Sequence, residues 1–264
     1  MKKIILYTII FNLSSVLPCF PSPYKILYVK GKIINHNSNK LLMTGDIISS
    51  SDSLNFVSNE ATCFLISNNK IRLSLQSTKN GLVKDVFASI PSRKVITTRG
   101  NENANITKLS NYFIEKQYTF IDTIESIKLD RGFFDSNNVQ CEYILNFKDS
   151  LGKDHRKKLT LEDSTLTLNI NDFAISNKIH EFNSVQVFQV SPVNGLYKNL
   201  ISFSAKYYDI NGLTESLVLI KDSCDKDESG AIDISEFHSI FCDVYGFTNI
   251  TNLKTNLLKT GLIK

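Results

Sequence analysis

The hydrophobic pattern changes period once along the chain, and that change limits the folds open to it. From Tyr24 to Tyr208, apolar and polar residues alternate in short runs, among them Cys63-Phe64-Leu65-Ile66 and Ile71-Arg72-Leu73-Ser74-Leu75. Alternation places every second side chain on one face, as a half-buried strand requires. From Asn211 onward apolar residues recur at intervals of three and four, the spacing of one helix face. The expected fold is therefore α+β, with a mainly β body and a C-terminal helical cap. The body divides into a small N-terminal barrel or sandwich over residues 23–90 and a second β region over 131–208. Residues 91–130, polar and turn-rich, read as a linker with a short helix around Leu109–Lys116, and the helical region spans 209–264. A hairpin is expected to turn at Ser150-Leu151-Gly152-Lys153.

Within the helical region, twelve residues have the order of a cation loop: Asp225-Lys226-Asp227-Glu228-Ser229-Gly230-Ala231-Ile232-Asp233-Ile234-Ser235-Glu236. Asp225, Asp227 and Ser229 alternate, so their oxygens converge on one side. Gly230 stands where the chain must turn sharply, and a residue without a Cβ does so most cheaply. Ala231 would offer its backbone carbonyl, Asp233 a carboxylate acting through water, and Glu236 both carboxylate oxygens. This set of hard oxygen donors suits Ca2+, and the order is that of an EF-hand loop. The flanks carry helical stripes: Leu217, Ile220 and Cys224 before the loop, interrupted by Lys221, and Phe237, Ile240, Phe241 and Val244 after it. Leu253, Leu257 and Leu258 share a face in a third helix. His238 reads as part of the exposed face of the second. Ile232, at the eighth loop position, is the residue that anchors such a loop to a core or to a partner loop.

Composition narrows the remaining classes. The formal charge is only +4, and losing Lys2 and Lys3 with a leader would leave +2. Arg156-Lys157-Lys158 reads as solvated charge on a hairpin, so nucleic acid is not an expected partner. Lys2-Lys3 followed by an apolar stretch from Ile4 to Leu17, then by Pro18, Pro21 and Pro23, predicts an export signal over residues 1–22, cut somewhere in 17–22. Export to the periplasm or the exterior follows. No other segment approaches the roughly 20 apolar residues of a membrane span, so none is expected after cleavage. Cys63, Cys141, Cys224 and Cys242 would remain, too sparse for a disulfide scaffold and without zinc spacing; buried thiols are expected.

Several stretches resemble a group of exported proteins from Bacteroidetes-type bacteria that have no assigned activity. They are Tyr28-Val29-Lys30-Gly31-Lys32-Ile33, Leu41–Asp46 and Asp52–Phe56 near the start, and Tyr245-Gly246-Phe247-Thr248-Asn249 with Asn252-Leu253-Lys254 near the end. The first segment is also similar to the small β-domain of FecR-type envelope proteins. The resemblance implies an envelope location and an architecture. It implies no activity.

The expected function is that of an exported calcium-binding protein with a single loop, acting as a non-catalytic envelope binding or structural module whose protein or envelope ligand is unknown. The alternatives are a signalling partner of FecR type, which would need a membrane anchor, or an unrecognised enzyme. An enzyme is not expected: the chain has no nucleophile elbow, phosphate loop or His-Glu metalloprotease motif. Glu125 or Glu142 with Asp130 read as solvated carboxylates rather than as an acid-base pair.

Overall fold

Alternation in the first third of the chain folds into eight short strands. They are β1 (Pro23–Lys30), β2 (Ile33–Asn35), β3 (Lys40–Leu41), β4 (Ile47–Ser49), β5 (Leu54–Phe56), β6 (Thr62–Ser67), β7 (Arg72–Gln76) and β8 (Leu82–Val83). The computed structural model describes residues 23–76, 82–83, 109–113, 116–121, 124–130, 133, 141–148, 152–169, 181–226, 228 and 230–263. The chain divides into two units, Met1–Ser89 and Ile90–Lys264. The expected leader and residues 91–108 lie outside the described residues.

The first unit is a sandwich of two antiparallel four-stranded sheets, ordered β4-β1-β6-β7 and β3-β2-β5-β8. Inward residues of both sheets, including Ile26, Leu65 and Leu73 from one and Ile33, Leu54 and Phe56 from the other, form a single core. The chain crosses from sheet to sheet at Gly31, whose φ is +76°. A Cβ there would lie 2.8 Å from Ser58 Oγ and 3.1 Å from the Ala61 backbone, so both conformation and space call for glycine. Of the barrel or sandwich expected from the short-strand spacing, the two-sheet form is the one adopted.

The second unit contains β9 (Gln117–Phe120), β10 (Ile124–Lys128), β11 (Glu142–Lys148), β12 (Asp154–Lys158), β13 (Thr160–Glu162), β14 (Thr165–Asn169), β15 (Glu181–Val190) and β16 (Tyr197–Tyr207). A five-stranded sheet runs β12-β11-β15-β16-β9 and a three-stranded one β10-β14-β13. Leu145, Phe147, Val187 and Phe203 from the larger sheet share a core with Ile127, Leu166 and Leu168 from the smaller. β11 and β12 pair antiparallel, with Arg156, Lys157 and Lys158 exposed on β12, while Ser150 and Leu151 of the expected turn lie outside the described residues. The linker reading of 91–130 needs correction where the chain is described. Residues 109–111 form a 3-10 turn, and β9 and β10 join the two sheets. Ile124 and Ile127 are three apart, so one strand cannot bury both; only Ile127 turns inward, while Ile124 is exposed.

Helices close the chain: α1 (Thr214–Ser223), α2 (Ile234–Tyr245) and α3 (Ile250–Lys259). The stripes read from the sequence face inward, with Leu217, Ile220, Phe237, Ile240, Phe241, Val244, Leu253 and Leu257 all buried. Leu258 departs from the expectation, because it lies 45% exposed, off the face shared by Leu253 and Leu257. None of the described helices is long and apolar enough to cross a membrane.

Candidate functional site

The acidic loop joins α1 to α2. Gly230 adopts φ +80°, so the sharp bend falls where the spacing placed it. Asp233 is the N-cap of α2: its Oδ1 accepts from Ser235 N at 2.8 Å and from Glu236 N at 3.3 Å. An N-cap carboxylate satisfies amides that the helix leaves without partners. Glu236 then lies in the first turn, and its Oε2 accepts from Asp225 N at 2.7 Å, which ties the last loop position to the first. Asp233 N donates to Asp225 O at 3.2 Å, and Lys226 and Ile232 form an antiparallel bridge. Ile232 therefore pairs within its own loop.

Of the six sequence-predicted ligands, Asp225, Ala231, Asp233 and Glu236 are described; Asp227 and Ser229 lie outside the described residues. Among the described residues, no three acidic, histidine or cysteine side chains gather in a metal-holding group. Asp233 engages Oδ1 in the helix cap and Glu236 engages Oε2 on the Asp225 amide. The donor set itself, carboxylates with a backbone carbonyl, is one that hard cations take.

A second cluster was not read from the sequence. Glu125 is fully buried, which corrects its reading as a solvated carboxylate. Its Oε1 accepts from the Tyr112 hydroxyl at 2.5 Å and from the Tyr118 hydroxyl. Those hydroxyls in turn accept from α3 and its N-cap residue: Asn252 Nδ2 donates to Tyr112 at 2.5 Å and Asn249 N donates to Tyr118 at 3.1 Å. Burial, and then the neighbouring Glu125, push both tyrosines well above their usual pKa, so they remain proton donors. Glu142, by contrast, is exposed as expected and pairs with Lys158 at 2.6 Å. The signal for Glu125 was its place two residues from Ile127 on a period-two run.

His238 also corrects an expectation. It is buried, not exposed, and hydrogen-bonds the Thr248 carbonyl at 2.7 Å through Nε2. A carbonyl only accepts, so Nε2 carries the proton. Desolvation lowers the pKa and keeps the ring neutral. Next to it, Thr119 N donates to Phe247 O at 2.7 Å and Thr119 Oγ1 to Tyr245 O at 2.8 Å, so the segment between α2 and α3 covers the open side of β9. The described cysteines are thiols, not disulfides, and burial pushes Cys63 up to about 12.

No family model matches the chain, and neither the curated proteins nor the solved structures contain a significant match to it.

Proposed function

We propose that residues 225–236 bind Ca2+ through Asp225, Asp227, Ser229, the Ala231 carbonyl, Asp233 and Glu236, and that the protein is an exported, non-catalytic envelope module which the ion stiffens. The observation that carries this reading is the closure of the loop on itself. Gly230 turns at φ +80°, and Asp233 and Glu236, at the head of α2, are both hydrogen-bonded to the Asp225 backbone. The first, ninth and twelfth loop positions are thus neighbours before any ion is considered. Two-oxygen ligation by Glu236 requires its Oε2 to leave the Asp225 amide, so binding carries a local cost. A single loop of this kind suits the weak range of extracellular calcium modules, about 10⁻⁴–10⁻³ M.

At about 2 mM calcium and a dissociation constant of about 0.1 mM, binding stabilises the fold by roughly 1.8 kcal/mol. The melting temperature is expected to rise by about 4–7 °C over that in chelator. Magnesium should do much less, because it gives up its waters reluctantly. Glu236→Gln should melt near the wild type in chelator and lose most of the calcium shift. Absence of calcium heat in calorimetry, with the same melting curve in chelator, would reduce the loop to an acidic turn.

Export is supported by the Lys2-Lys3 start and the apolar stretch after it. Mass spectrometry of the protein from its native host should find a new N-terminus between residues 18 and 24. A full-length product in the cytosol refutes export without touching the calcium reading.

A further inference from the structure

The tip of the β15–β16 hairpin, which is separate from the calcium loop, combines exposed apolar side chains with a backbone that bonds to itself. The two strands pair as far as Val190 and Tyr197, and residues 191–196 turn between them. Val193 is 80% exposed, more than any other large apolar residue described, and Leu196 is 67% exposed. Single apolar side chains scattered over a surface are ordinary, whereas these two share one turn. Within that turn Ser191 N donates to Leu196 O at 3.1 Å, Gly195 N to Ser191 O at 2.9 Å and Leu196 N to Asn194 Oδ1 at 3.1 Å. Pro192 has no N–H to place. A turn that meets its donors internally leaves water at a lower cost than an open one.

Charge behind the tip is mostly of one sign. From Phe182 to Tyr208 the hairpin contains Lys198 and Lys206 and no acidic residue. Lys198 pairs with Gln189, one step behind the last pair. Lys158 stands opposite Ile144, which pairs with Phe188 two steps behind it. Arg156, Lys157, Lys158 and Lys198 are all exposed. Arg156 Nη2 donates to the Tyr197 hydroxyl at 2.5 Å and its guanidinium lies 5.0 Å from the centre of that ring, so the basic row of β12 is held against the hairpin. Glu142, which pairs with Val190, is the acid at this level, and it is taken up by Lys158 at 2.6 Å.

We propose that this tip inserts shallowly into the surface of an anionic membrane. At the rise of a strand, residues 191–196 extend at most about 10 Å beyond the last pair, which matches the roughly 5–10 Å depth at which interfacial apolar groups settle. With Val193 and Leu196 at that depth, the amines of Lys198 and Lys158 come within reach of the phosphates, where each basic residue favours an anionic leaflet. Two other occupants fit less well. A nucleic acid would meet the lysines and leave Val193 and Leu196 in water. A specific protein interface buries about 800 Å² on each partner, far more than two side chains on a narrow turn supply.

The chain has no tryptophan, so Leu196→Trp places a lone reporter on the tip of the full-length protein. This protein is mixed, in chelator so that calcium cannot bridge it to lipid, with vesicles of phosphatidylcholine alone or with about one third phosphatidylglycerol. On the anionic vesicles alone, emission should shift to the blue and be quenched by lipids brominated near the top of the acyl chains. The signal belongs to residue 196, so lipid contact by any other segment does not produce it. Adding Val193→Asp should weaken partitioning about tenfold, Lys198→Glu about fivefold, and raising salt from about 0.05 to 0.5 M severalfold. These side chains are exposed, so the variants should melt with the wild type. Unshifted emission with anionic vesicles, an equal shift with neutral ones, or a shift indifferent to Val193→Asp would overturn the assignment. A blue shift without lipid that grows with protein concentration would give the tip to a second copy of the chain and overturn it as well.

Discussion

Glu125→Ala is expected to lower the unfolding free energy by about 3–5 kcal/mol, through two mechanisms that add. Removing the carboxyl strands the Tyr112 and Tyr118 hydroxyls in a core where no water replaces it, at about 1–3 kcal/mol for each group left unsatisfied. The truncation also leaves a void among closely packed aromatic rings. Phe113 stands 4.9 Å from Tyr118 and 4.2 Å from Phe203, centroid to centroid, and cavity formation adds its own cost. Denaturant titration of the full chain measures the loss in the transition of the second unit. Replacing the carboxyl and both hydroxyls, with Glu125→Leu in a Tyr112→Phe/Tyr118→Phe background, should recover only part of it, since no hydroxyl is then stranded but the Asn249 N–H and the Asn252 amide lose their acceptors. A loss under about 1 kcal/mol for Glu125→Ala would mean that the cluster contributes little to the fold.

Gly246→Ala is expected to cost about 3 kcal/mol, more than any surface substitution in the same helices. Gly246 has φ +97° and ψ 172°, a conformation open almost only to glycine, and holding another residue there costs about 1–3 kcal/mol. The new Cβ would also stand 2.9 Å from Thr119 Oγ1. That hydroxyl cannot retreat cheaply, because it donates to the Tyr245 carbonyl within a residue that is fully buried. Thermal melting reads the effect, and pairing the change with Thr119→Ala should restore part of the loss by vacating the space. A Gly246→Ala protein that melts with the wild type would contradict this account of the turn.

The parts of the fold that were legible in the sequence are those decided by near neighbours. The register of Phe237, Ile240, Phe241 and Val244 and the bend at Gly230 follow from residues within a few positions of each other, and the structure places them as the spacing requires. Glu125 and His238 depart from expectation for one shared reason. Each is a polar residue on a buried face, met there by groups that periodicity does not name: the Tyr112 and Tyr118 hydroxyls for Glu125 and the Thr248 carbonyl for His238. Over Ile124–Lys128 the alternation offers two registers, one burying Ile124 and the other Ile127, and only the strand β14 alongside settles the choice. The one-residue bulge at 183–184 of β15, where Asn146 pairs with Gln186 but Lys148 with Asn183, has no sequence signature, because Ser184 rather than a glycine takes its left-handed position. In the calcium loop the order of residue types was plain, whereas the diversion of Asp233 to the helix cap and of Glu236 to the Asp225 amide depends on backbone geometry.

The bonds that join β9 to the end of the chain have a consequence for the order of assembly. Thr119 reaches Tyr245 across 126 residues of sequence, Asn249 reaches Tyr118 across 131, and Asn252 reaches Tyr112 across 140. Contacts so distant in sequence form late, because the loop they close costs entropy before it returns any. During synthesis the Tyr112–Tyr118–Glu125 cluster has no helix to complete it until residues 249–252 have emerged. Until then the Thr119 N–H of β9 also lacks the Phe247 carbonyl that accepts from it. Formation of α3 is therefore the step that completes the core of the second unit.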